Sequence, residues 1–363
     1  MTGLGRALDL VAARGCAAQL CVISGGQVVA DESFGCRPDS LFLLFSAGKP
    51  LVALLVHMLA ELGLVSLDDP VARHWPEFGQ HGKQAITIRQ VLQHRSGLPV
   101  ARSMASDALT MVSWQRSVRN IEHATPRYPP GAVPAYHVIT YGFILGELVQ
   151  RVTGTAVSEY LQSELLQPLG LRDTFLGLPA EHWGRHVPVA GRGPAELATA
   201  AVVNRRAVRE AVIPAASVSA TARDLAWLYQ ALLAGGEPGA ALAGGEAGGA
   251  GVLKPETIAQ ATRPSSDGET DRSLHLPVRW AAGFQLGGER PGSVRLGGGR
   301  SPMGSLASPA TFGHNGSYVC IGWADPERDI AVGYVTARLV SRAAGARHMS
   351  AVSDAILAAA AAG

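Results

Sequence analysis

The stretch that decides the fold is FSAGKP, residues 45–50, which stands directly before a helical pattern. Apolar residues recur at helical spacing over residues 51–62, and Gly63 ends the pattern. Proline is tolerated in the first turn of a helix but not in its interior. Pro50 therefore predicts that the helix begins at about Ser46.

Ser46 and Lys49 are three residues apart at this helix start, so their side chains lie on one face and the ammonium can reach the hydroxyl. The N–H groups of the first turn have no acceptor within the helix, and this end of the helix is positive. Both features favour a serine that attacks a carbonyl and then stabilises an oxyanion. The S-x-x-K spacing alone is weak evidence for this chemistry, because such tetrapeptides occur by chance in many proteins.

Lysine is rare in this chain. Of its 31 Lys and Arg residues, 28 are Arg, and the lysines are Lys49, Lys83 and Lys254. Arg cannot lose its proton in a protein whereas Lys can, so a lysine kept here can serve chemistry. A general bias towards Arg explains the count equally well. We expect Lys83, in a polar loop, and Lys254, at a helix start, to be solvated surface charges.

The composition excludes several classes of protein. With 363 residues, 47% hydrophobic and 17% charged, the chain can bury a large core and is not globally disordered. Its net charge of +2 gives no electrostatic reason to bind nucleic acid or an anionic membrane. Residues 1–15 predict an amphipathic helix and not a signal peptide, and no stretch is typical of a membrane span. We expect a cytoplasmic protein that binds neither nucleic acid nor a membrane.

No metal or cofactor is predicted. The four cysteines show neither C-x-x-C pairing nor a regular framework, so we expect buried small side chains and not disulfides or zinc ligands. They are Cys16, Cys21, Cys36 and Cys320. Four histidines of the first half also lack a metal-ligand spacing. They are His74, His81, His94 and His123.

Hydrophobic periodicity predicts the remaining elements. Strands are expected as a hairpin over 19–34 and at 280–286, 293–296, 318–324 and 330–336. Helices are expected at 86–94, 141–152, 157–166, 219–233 and 342–362. The helix over 219–233 has Ser219 or Thr221 as its cap. The pattern weakens over 191–214, which is interpreted as a loop, and the Ala/Gly-rich residues 235–251 predict a flexible surface loop.

This order predicts an α/β (α+β) fold, an antiparallel sheet flanked by helices with an inserted, mostly helical subdomain. We expect a single catalytic domain over 1–363. Its sheet region spans about 15–60 and 275–363, and the helical insertion about 65–215. A G-x-G-x-x-G turn, a phosphate-binding loop and a G-x-S-x-G elbow are all missing from the sequence. Dinucleotide-binding and α/β-hydrolase folds are therefore disfavoured.

Further motifs accompany the S-x-x-K tetrapeptide. They are LVSLDDPV at 64–71, ITIRQVLQHRSGLP at 86–99, and Pro130-Gly131 leading to Tyr136. With these motifs the chain resembles the serine β-lactamase-related superfamily, which has the penicillin-binding-protein fold. The resemblance runs from about residue 20 to about residue 338 and is closest to class C β-lactamases and their esterase and transacylase relatives.

The resemblance implies three catalytic residues. Ser46 is the expected nucleophile, and Lys49 and Tyr136 are expected to relay its proton to the leaving group. The residues leave open which of the two is the base. The family's Tyr-x-Asn motif has Val138 in place of the asparagine, so the amide that binds the side chain of a β-lactam is missing. A β-lactam is therefore the less expected substrate.

The family's Lys-Thr-Gly motif corresponds to His314-Asn315-Gly316, which we place at the head of the strand over 318–324. His314 replaces a fixed cation by a group that is mostly neutral at pH 7, which weakens recognition of a carboxylate. Gly316 lets the substrate lie against the strand edge, and the Ser317 N–H matches the second oxyanion-hole donor. Two further candidates either contact the substrate or simply pack in the core. They are His137 and Tyr141.

We therefore expect a carboxylesterase-like serine hydrolase that forms an acyl-enzyme on Ser46 with a small-molecule ester or acyl substrate. The alternative is a transacylase of secondary metabolism that passes the same acyl group to an amine or alcohol. A second alternative is a catalytically silent binding protein that retains the fold. Residues 104–127 and 191–214 are expected to shape the pocket. Oligomeric state and natural substrate are left open.

Overall fold

The computed structural model describes residues 3–236, 251–288 and 301–361. The helices are α1 (Gly5–Ala12), α2 (Lys49–Glu61), α3 (Val71–His74), α4 (Ile88–Leu92), α5 (Met104–Thr110), α6 (Trp114–Glu122), α7 (Thr140–Thr153), α8 (Val157–Leu161), α9 (Pro194–Val203), α10 (Arg206–Glu210), α11 (Ala222–Leu233), α12 (Pro255–Ala261) and α13 (Arg342–Ala361). The strands are β1 (Ala18–Ser24), β2 (Gln27–Phe34), β3 (Phe42–Leu43), β4 (Thr174–Leu176), β5 (Ala190–Gly191), β6 (Val218–Ala220), β7 (Thr270–Asp271), β8 (Leu276–Pro277), β9 (Gln285–Leu286), β10 (Phe312–Gly316), β11 (Cys320–Asp325), β12 (Ile330–Thr336) and β13 (Arg338–Leu339).

A six-stranded antiparallel sheet forms the centre, in the order β2-β1-β12-β11-β10-β9. Short connections explain this topology, because β1–β2, β10–β11 and β11–β12 are each joined by a hairpin turn. Val332 of β12 pairs with Val22 of β1 on one side and with Trp323 of β11 on the other. The two ends of the chain therefore meet in one sheet, as the order of predicted elements indicated.

Helices cover both faces of this sheet. Alternate strand residues such as Leu20 and Val332 pack on one face against α1 and α13. Their neighbours, such as Cys21 and Ala331, pack on the other face against α11 and α2. The predicted antiparallel sheet flanked by helices is thus confirmed.

Two glycines bring α11 close to the sheet. Gly322 and Gly333 are directly paired between β11 and β12. A Cβ atom at Gly333 would overlap the carbonyl oxygen of Ala222, and one at Gly322 would overlap the ring of Tyr229. The sheet can therefore accept the helix only because these two positions have no side chain.

Several predicted elements are confirmed. The hairpin over 19–34 is β1–β2, the helix over 51–62 is α2, and the strand over 330–336 is β12. Gly154 ends α7 in the left-handed conformation, with φ 72°. Thr221 is the cap of α11, since its side chain accepts the N–H of Asp224, whereas Ser219 lies in β6.

The prediction of a loop over 191–214 is wrong, because the segment contains α9 and α10. The sequence of α9, PAELATAAVV, is apolar on nearly all sides, and Ala200 is its only buried residue. No apolar stripe marks such a helix in the sequence. The strand predicted over 280–286 is also shorter than expected, with β9 limited to Gln285–Leu286.

Lys83 is not a surface charge as predicted. Its side chain has no exposed surface, and Nζ donates hydrogen bonds to the carbonyl oxygens of Glu122 (2.9 Å) and Ala124 (2.5 Å). These acceptors lie about forty residues further along the chain, where sequence spacing gives no indication of the contact. Lys254, by contrast, is exposed at the start of α12 as expected.

Some predictions fall outside the described residues: the strand over 293–296, most of the loop over 235–251, and the last residue of the closing helix. Within the described ranges, no helix is both long and apolar enough to cross a membrane. In that same part of the chain, no cluster of three His, Cys, Asp or Glu side chains could hold a metal ion. The four cysteines are free thiols, with Cys21 and Cys320 buried and Cys16 and Cys36 half-buried.

Candidate active site

Ser46 lies in a 3₁₀ turn, Phe45–Gly48, that runs directly into α2. Lys49 is the first residue of α2 and Pro50 follows in its first turn, so the predicted helix start is confirmed. Lys49 Nζ lies 3.0 Å from Ser46 Oγ. The local sequence alone therefore produces the contact between the amine and the hydroxyl.

Two carbonyl oxygens hold the Lys49 amine from the other side. Nζ donates to Val138 O at 2.8 Å and to Ala215 O at 3.2 Å. The side chain is fully buried, and burial lowers the pKa of Lys49 well below 10.5. A neutral amine has two N–H donors, which these carbonyls accept. In that neutral form the nitrogen also has a lone pair that can accept the Ser46 proton.

Tyr136 reaches the same hydroxyl. Its phenol is hydrogen-bonded to Ser46, and its ring centroid lies 4.9 Å from Lys49 Nζ. Burial raises the pKa of the Tyr136 phenol, and the hydrogen bond from Ser46 opposes that rise. The structure thus brings together the three residues predicted to be catalytic.

Aromatic rings fix the orientation of the Tyr136 ring. Trp280 stacks on it with a centroid distance of 5.3 Å and an interplanar angle of 9°. The His94 ring lies at 4.7 Å from the phenol ring, and its Nδ1 accepts the backbone N–H of His137 at 3.2 Å. Burial lowers the pKa of His94 well below 6.5, so the imidazole is neutral here.

Sequence reasoning missed His94, Trp280 and Asp271 as parts of this site. His94 stands inside the motif over 86–99, but it was considered only as a metal ligand. Trp280 was interpreted only as a strand residue, and no pattern marked Asp271. Asp271 accepts the backbone N–H of Tyr136 at 3.1 Å from a position 135 residues away in sequence.

The motif His314-Asn315-Gly316 lies on its own strand, β10, and not at the head of the next strand as predicted. Asn315 is fixed by Gln285, whose Oε1 accepts the Asn315 side-chain N–H at 2.8 Å. The turn to β11 consists of Ser317, Tyr318 and Val319, and the first two are left-handed, with φ 50° and 53°. The motif therefore occupies one arm of a tight hairpin.

His314 is a neutral acceptor. Its Nδ1 faces the carbonyl oxygen of Asn315 at 2.8 Å, so Nδ1 carries the proton and Nε2 has a free lone pair. Burial, together with the nearby Lys49, lowers the pKa of His314 to about 3. Within the described residues Nε2 has no hydrogen-bond partner. The third motif accordingly provides no positive charge.

Gly316 brings the turn that carries Ser317 against the turn that carries Ser46. A Cβ atom at Gly316 would overlap the carbonyl oxygen of Leu44 and would lie 3.0 Å from the amide nitrogen of Ala47. Only glycine permits this approach. The two segments expected to provide oxyanion-hole N–H groups, at Ser46 and Ser317, are therefore neighbours.

His137 and Tyr141 are both fully buried. His137 Nε2 is hydrogen-bonded to Ser96 Oγ at 2.9 Å, and the Tyr141 ring packs at 4.6 Å from His94. The structure gives both side chains packing partners behind Tyr136. Their contact with substrate stays a prediction.

A family model described as Beta-lactamase matches residues 10–355. The chain belongs to this family. It is 31% identical over 331 residues to the esterase/beta-lactamase LipL of Mycobacterium tuberculosis, a match that covers 84% of this chain and 70% of LipL. It is 32% identical over 165 residues to the esterase EstB of Burkholderia gladioli, which covers 40% of this chain and 42% of EstB.

Among solved structures, a family VIII carboxylesterase superimposes with a TM-score of 0.81 at 25% identity, covering 98% of each chain. The fold and the membership predicted from the motifs are thereby confirmed. So is the coarser prediction of an enzyme with an esterase/β-lactamase-like serine hydrolase fold.

Proposed function

We propose that this protein is a carboxylesterase-like hydrolase that forms an acyl-enzyme on Ser46. The observation that carries the proposal is the convergence on one hydroxyl of the Lys49 amine, at 3.0 Å, and the Tyr136 phenol. A serine with two proton acceptors beside it is an activated nucleophile. Relatives that are esterases by name support the same reaction.

Acylation begins when Ser46 Oγ gives its proton to Lys49, or to Tyr136 as the phenol passes its own proton on to Lys49, and attacks the ester carbonyl carbon. The carbonyl oxygen becomes an oxyanion, which the N–H groups of Ser46 and Ser317 stabilise. The tetrahedral intermediate collapses, the carbon–oxygen bond to the alcohol breaks, and the alkoxide takes the proton held by Lys49 and Tyr136. The alcohol leaves, and the acyl group remains on Ser46.

Deacylation repeats these steps with water. Water gives a proton to the same pair and attacks the acyl carbon, and Ser46 Oγ leaves and takes the proton back. The products are the carboxylic acid and the free enzyme. Which of Lys49 and Tyr136 accepts the first proton is left open, because both contact the same hydroxyl.

Uncharged esters are the substrate class that we propose. His314 is neutral where the family's motif has lysine, so a carboxylate gains no ion pair there. Phe45 and Val319, which flank Ser46 and the Ser317 turn, pack with Ala200 of α9 in one apolar cluster. This packing supports a role for residues 191–214 in shaping the site, and it favours an apolar acyl group.

The proposal is tested with Ser46→Ala and a short-chain p-nitrophenyl ester. We expect hydrolysis to fall to the background rate, because the nucleophile is removed. Ser163→Ala, at an exposed serine, is the matched control and should keep the wild-type rate. Hydrolysis by Ser46→Ala at the wild-type rate would show that another residue is the nucleophile.

The transacylase alternative uses the same acyl-enzyme with an amine or alcohol as the final acceptor. It is tested by adding increasing concentrations of an amine or alcohol to the ester reaction and separating the products. A hydrolase yields free acid as the main product in water. Acyl transfer that exceeds acid formation at millimolar acceptor would favour the transacylase.

The silent binding protein makes a different prediction. It would form no covalent adduct at Ser46 with a fluorophosphonate probe, whereas both enzyme hypotheses require the adduct. Intact mass of the wild type after incubation, with Ser46→Ala as the blank, distinguishes these outcomes.

A further inference from the structure

The carboxylate of Asp271 is the most heavily hydrogen-bonded group beside the site. Its side chain is fully buried in β7. Oδ1 accepts three backbone N–H groups, from Tyr136 at 3.1 Å and from Ser273 and Leu274 at 2.9 Å each. Oδ2 accepts the indole N–H of Trp280 at 3.1 Å. All four of these donors are uncharged N–H groups.

Two of these donors belong to the machinery around Ser46. The backbone of Tyr136 is held directly, and Trp280 is held in the orientation in which its ring stacks on the phenol ring. One carboxylate therefore fixes Tyr136 at its main chain and across the face of its ring. Neither contact involves Ser46 or a substrate, so both contacts position other residues.

We propose that Asp271 is the positioning residue of this site, holding Tyr136 and Trp280 so that the phenol meets the Ser46 hydroxyl. The inference rests on the proposed acyl-enzyme function and adds a residue to it. It assigns a role to the loop between α12 and β9, which no motif marked.

The negative charge of Asp271 adds an electrostatic effect to the geometric one. It raises the pKa of the Tyr136 phenol, in the same direction as burial. The other titratable groups that face the phenol are Lys49 from α2, His94 from the end of α4, His314 from β10 and Tyr318 from the β10–β11 turn. The two histidines are neutral, so Asp271 is the carboxylate that acts on the phenol in the described part of the chain.

Asp271→Asn tests both effects with almost no change in volume. The amide keeps one acceptor oxygen and places an NH₂ group against either the indole N–H or the backbone N–H groups. We expect acylation of Ser46 to slow by about 10-fold to 100-fold through misplacement of the phenol. The apparent pKa of the acid limb, which reports the coupled Lys49–Tyr136 pair, should also move down, because that pair loses a nearby negative charge.

The readout is the rate at which a fluorophosphonate probe labels Ser46 between pH 5 and pH 10. Asp325→Asn is the control, because Asp325 is also fully buried and accepts the backbone N–H groups of Ser308 and Glu327, in addition to its ion pair with Arg328. It lies at the end of β11 remote from the Ser317 turn. Asp325→Asn should leave the labelling rate and its pH limb unchanged in the folded fraction.

Asp271→Glu keeps the charge but displaces the carboxylate. It should therefore slow labelling of Ser46 without moving the acid limb of the pH profile. It also serves as the test if Asp271→Asn does not fold, together with Trp280→Phe, which removes the indole N–H donor and one ring of the stacked side chain. Trp280→Phe should slow labelling less than Asp271→Glu. Labelling of both Asp271→Glu and Trp280→Phe at the wild-type rate would overturn the positioning role of Asp271.

The possible failures are distinct. If the wild type is labelled, and Asp271→Asn is labelled at the same rate with the same acid limb in its pH profile, only the role of Asp271 is overturned. A wild type that labels but hydrolyses no ester overturns the hydrolase proposal and leaves the positioning role measurable. A wild type that does not label overturns both.

Discussion

Lys49 and Lys83 both have fully buried side chains, yet their surroundings differ in one respect. Each amine donates to two backbone carbonyl oxygens, those of Val138 and Ala215 for Lys49 and those of Glu122 and Ala124 for Lys83. Lys49 also contacts a hydroxyl, Ser46 Oγ, at 3.0 Å. Both amines also lie over an aromatic ring, Lys49 at 4.9 Å from the centroid of Tyr136 and Lys83 at 5.6 Å from that of Phe78.

Burial of a lysine side chain does not by itself give that lysine a catalytic role. Burial lowers the pKa of both amines, to about 8 for Lys83 and well below 10.5 for Lys49. The neighbouring Glu122 raises the pKa of Lys83 in part, whereas no carboxylate in the described residues acts on Lys49. A depressed lysine pKa alone therefore does not identify a base. Of the two amines, Lys49 is the one with a nucleophile within hydrogen-bond reach, so it is the one that can serve as a base.

The largest expected effect in this comparison is on the activity of Lys49→Met. Methionine has a similar length but accepts no proton, so Ser46 loses one of its two proton acceptors. We expect acylation to fall by about 10²-fold to 10⁴-fold, the usual contribution of a positioned acid–base group. Fluorophosphonate labelling of Ser46, followed by intact mass, measures this rate. A rate within twofold of wild type would mean that Tyr136 alone removes the proton.

Lys83→Met is the matched variant, and it should affect stability instead. The carbonyl oxygens of Glu122 and Ala124 lose their donor while they remain buried. We expect the free energy of unfolding to fall by about 2 kcal/mol, with labelling per folded molecule unchanged. Urea denaturation with tyrosine and tryptophan fluorescence measures the loss. Slower labelling of the folded protein would place Lys83 in the site after all.

The smallest effect is the pH dependence of stability that Lys83 causes. Its pKa is about 8 in the folded chain and 10.5 in the unfolded chain, so above pH 8 only the unfolded chain retains the proton. Stability therefore rises with pH between these values and is constant below and above them. Relative to Lys83→Met, the wild type should gain about 1 kcal/mol between pH 8 and pH 9. If the free energy of unfolding changes with pH in the same way for the two proteins, the Lys83 amine has an ordinary pKa.

The sequence predicted those features that depend on neighbouring residues. The apolar spacing over 51–62 and the position of Pro50 define α2 and the contact between Ser46 and Lys49. Helix α7 was predicted for the same reason, with Gly154 at its end. In each of these cases the interacting residues lie within one or two helical turns.

Features that depend on distant residues could not be predicted. The burial of Lys83 depends on carbonyls about forty residues away, and Asp271 contacts Tyr136 across 135 residues. Strand β10 has the sequence FGHNG, whose two glycines hide any alternation, so its motif was assigned to the next strand. Helix α9 has no polar face for periodicity to detect.

The contact between Gly316 and the Leu44 carbonyl also makes Ser46 a reporter of complete folding. Ser46 is synthesised early, but the segments that surround it come from residues 136, 215, 271 and 316. A chain that has formed only its first helices and hairpin has the serine without its neighbours. The fraction of molecules that a fluorophosphonate labels is therefore a count of correctly folded protein in a preparation, independent of any substrate.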